Sequence, residues 1–348
     1  MFAWYANAFC CVAYLADVPS ELDLDKTSRS YRSIMWDEAL KSDLDERRMS
    51  FQSSAWFRRG WTLQELLAPH LVIFCDQTWT PFGWLTPGKE SHRNFPFPNV
   101  AEEVATASRI DEAYLGKGRR RVMSDDVSLA EKLSWAASRS TTRIEDEAYC
   151  LMGILNVNMP LLYGEGHKAF KRLQQELVKD SNDQSLFAWD LCGFPKNFCN
   201  SRLDYPRFDD TTTAMLAQSP RQFIDSGEVR IGRPCPPYDL TNRGLRLNAE
   251  YIVLDRASTP SSVLIRLNCF IEEEFWRDLR EETDTSRHDI IMILTKHKEI
   301  DQWYRDSPDT PGLVTDPLSA RLERHQRLRK LAAGGTWQPE RTFFVDAF

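Results

Sequence analysis

A carboxylate, two guanidinium groups and two indoles lie close together in residues 54–69. Glu65 comes one helical turn after Trp61, and Arg58 and Arg59 lie just before it. A carboxylate placed this way in a cleft acts as a hydrogen-bond acceptor or as a general acid-base. The favoured interpretation is that Glu65 pairs with one of the two arginines and fixes the helix, since structural ion pairs outnumber catalytic carboxylates. The other candidate residues of this stretch, for binding or for structure, are Trp56, Trp61 and Gln64.

A second candidate site is the loop that contains Gly164 and Gly166 and is followed by Lys168. A glycine loop that opens a helix presents free backbone N–H groups to an anion, and Lys168 adds a positive charge. The loop is neither a Walker-type phosphate loop nor a dinucleotide-binding fingerprint, because the Gly-Lys-Ser/Thr ending and the third glycine are absent. A plain turn is therefore the favoured interpretation of this glycine pair.

The sequence gives no support for metal binding or for hydrolase chemistry of the serine type. The adjacent carboxylates of residues 145–147 point in different directions on a helix, so that a single cation cannot gather them. The eight cysteines form no C-x-x-C pair, and no histidine pair has zinc-like spacing. A Gly-x-Ser-x-Gly elbow is absent as well. We therefore predict neither a metal ion nor a bound cofactor.

Four tryptophans, Trp56, Trp61, Trp79 and Trp84, are concentrated in one short part of the chain. Aromatic residues are enriched at recognition surfaces, and such a cluster could form one. More often a cluster of this kind belongs to the hydrophobic core and its rim. The sequence alone leaves both interpretations open.

Composition and charge exclude several classes of protein. The net charge of −7 and the isoelectric point near 5.5 argue against binding to a nucleic-acid backbone. The apolar stretch of residues 2–16 has no basic residue ahead of it, and it is shorter than the roughly 20 residues that span a bilayer. Scattered cysteines within apolar runs are typical of a reduced protein. We expect a cytoplasmic protein without membrane contact.

The elements around the first candidate residues are expected to be helices and buried strands. A buried helix over residues 1–8 runs into a buried strand over residues 9–15. A helix over residues 61–67 ends at Pro69, and residues 71–75 form a continuous apolar run that predicts a buried strand of a parallel or mixed sheet. Helix followed by buried strand indicates an α/β core. The connecting segments are expected to be an exposed loop with one short helix at residues 20–50 and a loop at residues 80–98.

Helical periodicity dominates the middle of the chain, and short strands follow it. A helix is predicted from about Val127, and the next one has an apolar stripe at Phe170, Leu173, Leu177 and Val178. Beyond about residue 215, short runs of β-branched and aromatic residues alternate with turn residues. They predict a small antiparallel sheet or sandwich.

Two segments carry a resemblance to a known family. SAWFRRGWTLQELLAP, residues 54–69, resembles the signature of the heterokaryon-incompatibility (HET) domain of filamentous fungi. SWAASRSTTRIEDEAYCLMGILNVNMPLLYGEGHKAFKRLQQEL, which begins at Ser134, and SNDQSLFAW, which begins at Ser181, are similar to the helical tail that follows this domain. The resemblance implies a TIR-like α/β domain, present here without its opening strands, and we therefore expect an N-terminally truncated domain.

The fold class predicted on this basis is a partial TIR-like α/β HET domain, a helical segment and a smaller antiparallel β-rich domain. The predicted boundaries are residues 1–125 for the HET part, 126–189 for the helical tail, 190–215 for a linker and 216–348 for the β-rich domain.

The resemblance also implies a function, namely non-self recognition through protein partners, leading to programmed cell death after hyphal fusion. One alternative is a TIR-like NAD hydrolase, in which Glu65 serves as the glutamate that contacts the ribose and NAD is a substrate. Another is a truncated, inactive gene product. Because the opening strands have no counterpart, a signalling module is favoured over a self-sufficient enzyme.

Overall fold

The computed structural model describes most of the chain, in ten ranges: residues 1–20, 48–86, 97–115, 126–189, 214–232, 237–254, 262–272, 287–296, 302–305 and 335–345. Within them the protein is mixed α/β, as predicted. Two compact units are present: Met1–Val127 with Ser138–Tyr163, and Ser128–Ala137 with Gly164–Phe348. Most of the loop predicted over residues 20–50 and of the linker predicted over residues 190–215 lies outside the described ranges, and the domain boundaries stay a prediction.

The first unit is built on a three-stranded mixed sheet. Its strands are β1 (Cys11–Tyr14), β2 (Val72–Cys75) and β3 (Pro81–Leu85), in that order. β1 runs parallel to β2, and β3 is antiparallel to β2. The buried strand of a mixed sheet predicted at residues 71–75 is confirmed.

The loop predicted at residues 80–98 is wrong where β3 lies. Proline and glycine suggested a loop, but Pro81 begins the strand, where a missing N–H is tolerated. Gly83 lets a neighbour come close, because a Cβ on it would lie 2.7 Å from Cγ1 of Val100. The proline and the glycine thus permit the strand instead of breaking it.

The first unit also contains several helices. They are α1 (Phe2–Asn7), α2 (Thr62–Leu67), α3 (Ala101–Ser108) and α5 (Asp146–Tyr149), with a 3-10 helix at Ala55–Arg58 and helical residues at 48–53. The predicted helix and strand at the start of the chain are present, but they are not fully buried. Trp4 is 77% exposed and Phe9 is 93% exposed, and β1 alternates buried with exposed residues. One face of each element is therefore in solvent.

Aromatic rings form the core next to β2. Phe51 packs edge-on against Phe57, Phe74 and Phe82 with ring centroids 5.2–5.3 Å apart, and Trp56 packs on Phe57 at 5.1 Å. Such edge-to-face contacts stabilise a core beyond the burial of area alone. The tryptophan cluster is divided between core and surface: Trp56 and Trp84 are buried, Trp61 is half-buried and Trp79 is 62% exposed.

The second unit begins with helices α4 (Leu129–Ala137) and α6 (Lys168–Asp180). Both helices were predicted, and the apolar stripe of α6, from Phe170 to Val178, is buried as expected. Gln174 lies on the same face and is fully buried. Its side-chain amide donates to the carbonyl of Ala217 at 2.7 Å and accepts from the N–H of the same residue at 2.9 Å. The donor and the acceptor of this buried side-chain amide thus both find a partner in the backbone of Ala217.

A seven-stranded sheet completes the second unit, and its pairings are mainly antiparallel, as the strand pattern predicts. Its order is β4-β7-β8-β9-β10-β6-β5, and β6 also pairs with β7, so that five of the strands form a closed ring. Among the described residues of this sheet, the one parallel pairing joins β9 and β10. The strands are β4 (Val229–Ile231), β5 (Asp239–Thr241), β6 (Gly244–Val253), β7 (Ser262–Glu272), β8 (Arg287–Lys296), β9 (Trp303–Arg305) and β10 (Gln338–Val345).

No helix within the described ranges is long and apolar enough to cross a bilayer.

Candidate functional site

The stretch that contains the first candidate residues starts at a cap. The hydroxyl of Ser54 accepts from the N–H of Trp56 at 3.3 Å and donates to the carboxylate of Asp17 at 2.7 Å. The second carboxylate oxygen of Asp17 accepts from the N–H of Ala55 at 2.7 Å. Ser54 therefore caps the 3-10 helix Ala55–Arg58, and α2 starts only after the chain has turned at Gly60.

Glu65 lies on α2, is half-buried, and contacts a tyrosine instead of an arginine. The hydroxyl of Tyr5 donates to its Oε1 at 3.2 Å. Among the described residues, no hydrogen bond or ion pair joins Glu65 to Arg58 or Arg59. Burial, and after it the Glu65 carboxylate, raises the pKa of Tyr5 to about 12. The same two causes, in the same order, raise the pKa of the Cys11 thiol to about 12.

Arg139 is a buried cation that sequence reasoning did not connect with this stretch. Its Nη1 donates to the carbonyl of Arg59 at 2.9 Å and to Oγ1 of Thr62 at 3.0 Å. Burial lowers the pKa of the Arg139 guanidinium to about 10, and smaller effects of Cys150, Arg58 and Glu65 partly cancel. No local pattern reveals the contact, because 80 residues separate Arg139 from Arg59.

Backbone hydrogen bonds join the two segments that carry the family resemblance. The N–H of Gly60 donates to the carbonyl of Ser140 at 2.9 Å, and the N–H of Ser140 donates to the carbonyl of Arg58 at 2.6 Å. The side-chain amide of Gln64 donates to the carbonyl of Cys150 at 2.6 Å. Five residues of the 54–69 stretch thus hold the 139–150 segment: Arg58, Arg59, Gly60, Thr62 and Gln64.

The candidate residues of the stretch therefore divide into two groups, those buried in the fold and those at least partly open to solvent. Trp56 is buried in the aromatic core, and Gln64 is buried against Cys150. Arg58 and Trp61 are half-buried, and Arg59 is exposed. The structure brings Glu65 together with Tyr5, while the electrostatic effect of its carboxylate reaches Cys11 and Arg139. A half-buried carboxylate with a hydroxyl donor can act as an acceptor or as a base.

An ion pair connects the glycine loop to the helix that follows it. Gly164 and Gly166 have φ of +101° and +58°, in the left-handed region that favours glycine, and a Cβ on either would meet nothing within 4 Å. Glu165 between them forms an ion pair with Arg172 of α6. The turn conformation explains the glycines, and Lys168 begins α6. Anion binding at this loop stays a prediction.

Among the described residues, no group of three or more His, Cys, Asp and Glu side chains is arranged to hold a metal ion. The acidic run at residues 145–147 contains a partly buried hydrogen-bond acceptor, since Asp146 accepts from the hydroxyl of Tyr163 at 3.0 Å. Glu145 is buried, and α5 begins at Asp146. Carboxylates in the first turn of a helix stabilise it through the helix dipole.

Thiol reactivity should follow burial along the first unit. We expect iodoacetamide at pH 8 to alkylate Cys10, which is half-exposed, at least about a hundredfold faster than Cys11 or Cys150. Burial raises the pKa of both of these thiols to about 12, so that almost no thiolate is present to react. Timed quenching followed by peptide fragmentation in the mass spectrometer measures each site. Denaturation in urea is the control and should make the three rates similar, whereas equal rates in the folded protein would contradict the burial.

Two parts of the chain are similar to known proteins. Residues 168–268, from α6 into β7, match the family model of a domain of unknown function, DUF8212. The vegetative incompatibility protein HET-E-1 of Podospora anserina is 34% identical over 182 residues, which cover 52% of this chain and 11% of that relative. About half of the chain is therefore homologous to a fungal incompatibility protein. The chain spans only about a tenth of the relative's length, and no solved structure matches it significantly.

Proposed function

We propose that the chain acts in fungal vegetative incompatibility, as a non-self recognition module that signals through protein partners to programmed cell death. The observation that carries this proposal is the 34% identity to HET-E-1 over 182 residues. The hydrogen bonds between the 54–69 stretch and the 139–150 segment support it, because they give a structural reason for the two segments to occur together. A cytoplasmic location, a TIR-like arrangement and the absence of nucleic-acid binding are part of the same proposal.

The position of Glu65 favours a signalling module over a self-sufficient enzyme. Open α/β sheets bind ligands outside the carboxyl ends of their parallel strands. The carboxylate of Glu65 instead raises the pKa of Cys11, which is the first residue of β1 and lies at the amino end of that strand. Most of the polar side chains nearby bind backbone groups, as Gln64 and Arg139 do.

NAD hydrolysis is the second candidate, and one observation favours it. Glu65 forms no ion pair with the neighbouring arginines among the described residues, and its hydrogen bond comes from Tyr5, a neutral group. Its negative charge is therefore not neutralised by a direct partner. In the TIR-like hypothesis this carboxylate would contact the ribose of NAD.

Expression of the whole chain in a filamentous fungus tests the two functions together. We expect induced wild-type protein to cause hyphal death, scored by a vital dye, and to leave total NAD unchanged. Glu65→Gln keeps the shape of the side chain and removes its charge, so that it should cause as much death as the wild type. If Glu65→Gln abolishes both death and NAD loss, the hydrolase hypothesis replaces the signalling one.

The matched control is Glu176→Gln on α6, a half-exposed carboxylate whose partner is Lys179 at 2.7 Å. It should behave like the wild type in both measurements. Immunoblots at matched times show whether each variant reaches normal abundance. Absence of death at normal abundance of the wild-type chain would contradict the signalling proposal and favour the inactive gene product.

A further inference from the structure

A stacked aromatic pair is exposed at the carboxyl end of the parallel strands. The rings of Tyr14 and Trp79 are 4.4 Å apart between centroids and 13° from parallel. Tyr14 is the last residue of β1, and Trp79 lies in the turn that follows β2. Trp79 is 62% exposed, so that its second face is open to solvent. This is the edge of an α/β sheet at which ligands bind.

The turn that presents Trp79 is fixed by one buried carboxylate. Asp76 accepts from the N–H of Thr78 at 2.9 Å, from its hydroxyl at 2.7 Å and from the N–H of Thr80 at 3.1 Å. The backbone carbonyl of Asp76 accepts from the N–H of Trp79 at 2.9 Å. The hydroxyl of Tyr14 donates to the carbonyl of Gln77 at 3.1 Å, which ties the two rings to the same turn. The pair is therefore preorganised.

Trp79 also has an uncommon backbone conformation. Its φ is +64°, in the left-handed region where glycine and asparagine are usual and a bulky residue is an outlier. A glycine in its place would form the turn more easily. Such outliers cluster at functional sites, where the surrounding structure holds them. A tryptophan held in this conformation therefore points to a use for its exposed ring.

We propose that the Tyr14–Trp79 pair is a docking site for an arginine or lysine side chain of a protein partner. The face of an indole attracts cations through the ring quadrupole. The turn between β2 and β3 contains the carboxylate of Asp76 and no basic residue, and the whole chain carries a net charge of −7. This balance of charge favours a cation over a phosphate-bearing nucleotide. The partner's being a protein rests on the proposed function above.

The chain itself shows the contact that we infer. A guanidinium lies over an aromatic ring at Arg143 on Tyr163, at 4.6 Å, and at Arg305 on Trp189, at 3.5 Å. Trp79 uses one face against Tyr14 and leaves the other in solvent. A cation from a partner would occupy that second face.

Fluorine NMR of the full chain labelled with 5-fluorotryptophan tests the site. The probes are a blocked tetra-arginine peptide, a blocked tetra-glutamate peptide and AMP, and the signal of Trp79 is assigned with Trp79→Phe. We expect tetra-arginine alone to shift the Trp79 signal in a saturable way. Trp79→Ala should weaken tetra-arginine binding about threefold or more, as expected for a cation over an exposed indole.

Trp4 provides the matched control, because it is 77% exposed and no aromatic ring among the described residues is stacked on it. Equal shifts of Trp4 and Trp79 would mean non-specific attraction to an acidic protein and would overturn the proposal. A Trp79 shift with AMP but not with tetra-arginine would replace it with a nucleotide platform. No shift with any probe would also overturn it. If Trp79→Ala causes as much hyphal death as the wild type, the signalling function stands even though the docking proposal fails.

Discussion

Gly60→Ala is expected to lower the free energy of unfolding of the protein by about 1–3 kcal/mol, as overpacking of a tight interior site does. The added Cβ would lie 2.5 Å from Cγ2 of Thr141 and 3.2 Å from Sγ of Cys150. Neither neighbour can move away easily. Ser140, just before Thr141, is bonded to Arg58, and the hydroxyl of Thr141 donates to the carbonyl of Arg143 at 2.5 Å.

Urea denaturation followed by tryptophan fluorescence measures the change. Thr141→Ser removes the methyl group that a Cβ would meet and keeps the hydroxyl, so that the double variant should regain a large part of the lost stability. Gly227→Ala is the control, because its Cβ would meet only Oγ of Ser134, at 3.4 Å. If Thr141→Ser gives no recovery, steric conflict at this contact is not the cause.

The elements of the fold that could be predicted from the sequence are those with a clear apolar pattern of their own, such as the continuous apolar run of the four-residue strand β2. The stripe of α6 repeats over 13 residues, and the strands β6, β7 and β8 each have 10 or 11 residues. β3 could not be predicted, because its five residues include a proline and a glycine whose effect depends on Val100. A strand of this kind depends on partners that the local sequence does not contain.

The candidate site shows the same limit for side chains. Sequence spacing marked residues 54–69 as special, but it suggested an ion pair between Glu65 and Arg58 or Arg59. Arg58 ends a 3-10 helix, and Arg59 has φ −84° and ψ 137°, so that the chain turns before α2 begins. The arginines therefore do not share a helical face with Glu65. Its actual partner, Tyr5, is 60 residues away and could not be predicted from spacing.

Arg139→Met is expected to lower the free energy of unfolding by about 3 kcal/mol, since hydrogen bonds from a charged donor contribute about 1.5–3 kcal/mol each. The guanidinium of Arg139 binds the carbonyl of Arg59 and the hydroxyl of Thr62, which in turn lies 2.6 Å from the carbonyl of Trp56. Arg139→Lys should cost at least as much, because it keeps a buried charge on a shorter side chain that does not place a donor where Nη1 binds both acceptors.

A matched control for this substitution lies within the same stretch. Arg59 is exposed, and only its backbone contacts Arg139, so that Arg59→Met should change the stability by less than about 0.5 kcal/mol. A double-mutant cycle of Arg139→Met with Thr62→Val should show a coupling of about 0.5–3 kcal/mol, because the two side chains share a hydrogen bond. Additive effects, or equal losses at Arg59 and Arg139, would mean that the buried guanidinium does not hold the two segments together. The stretch at residues 54–69 would then have to be explained by its exposed residues, Arg59 among them, and its role would be contact with a partner instead of support of the fold.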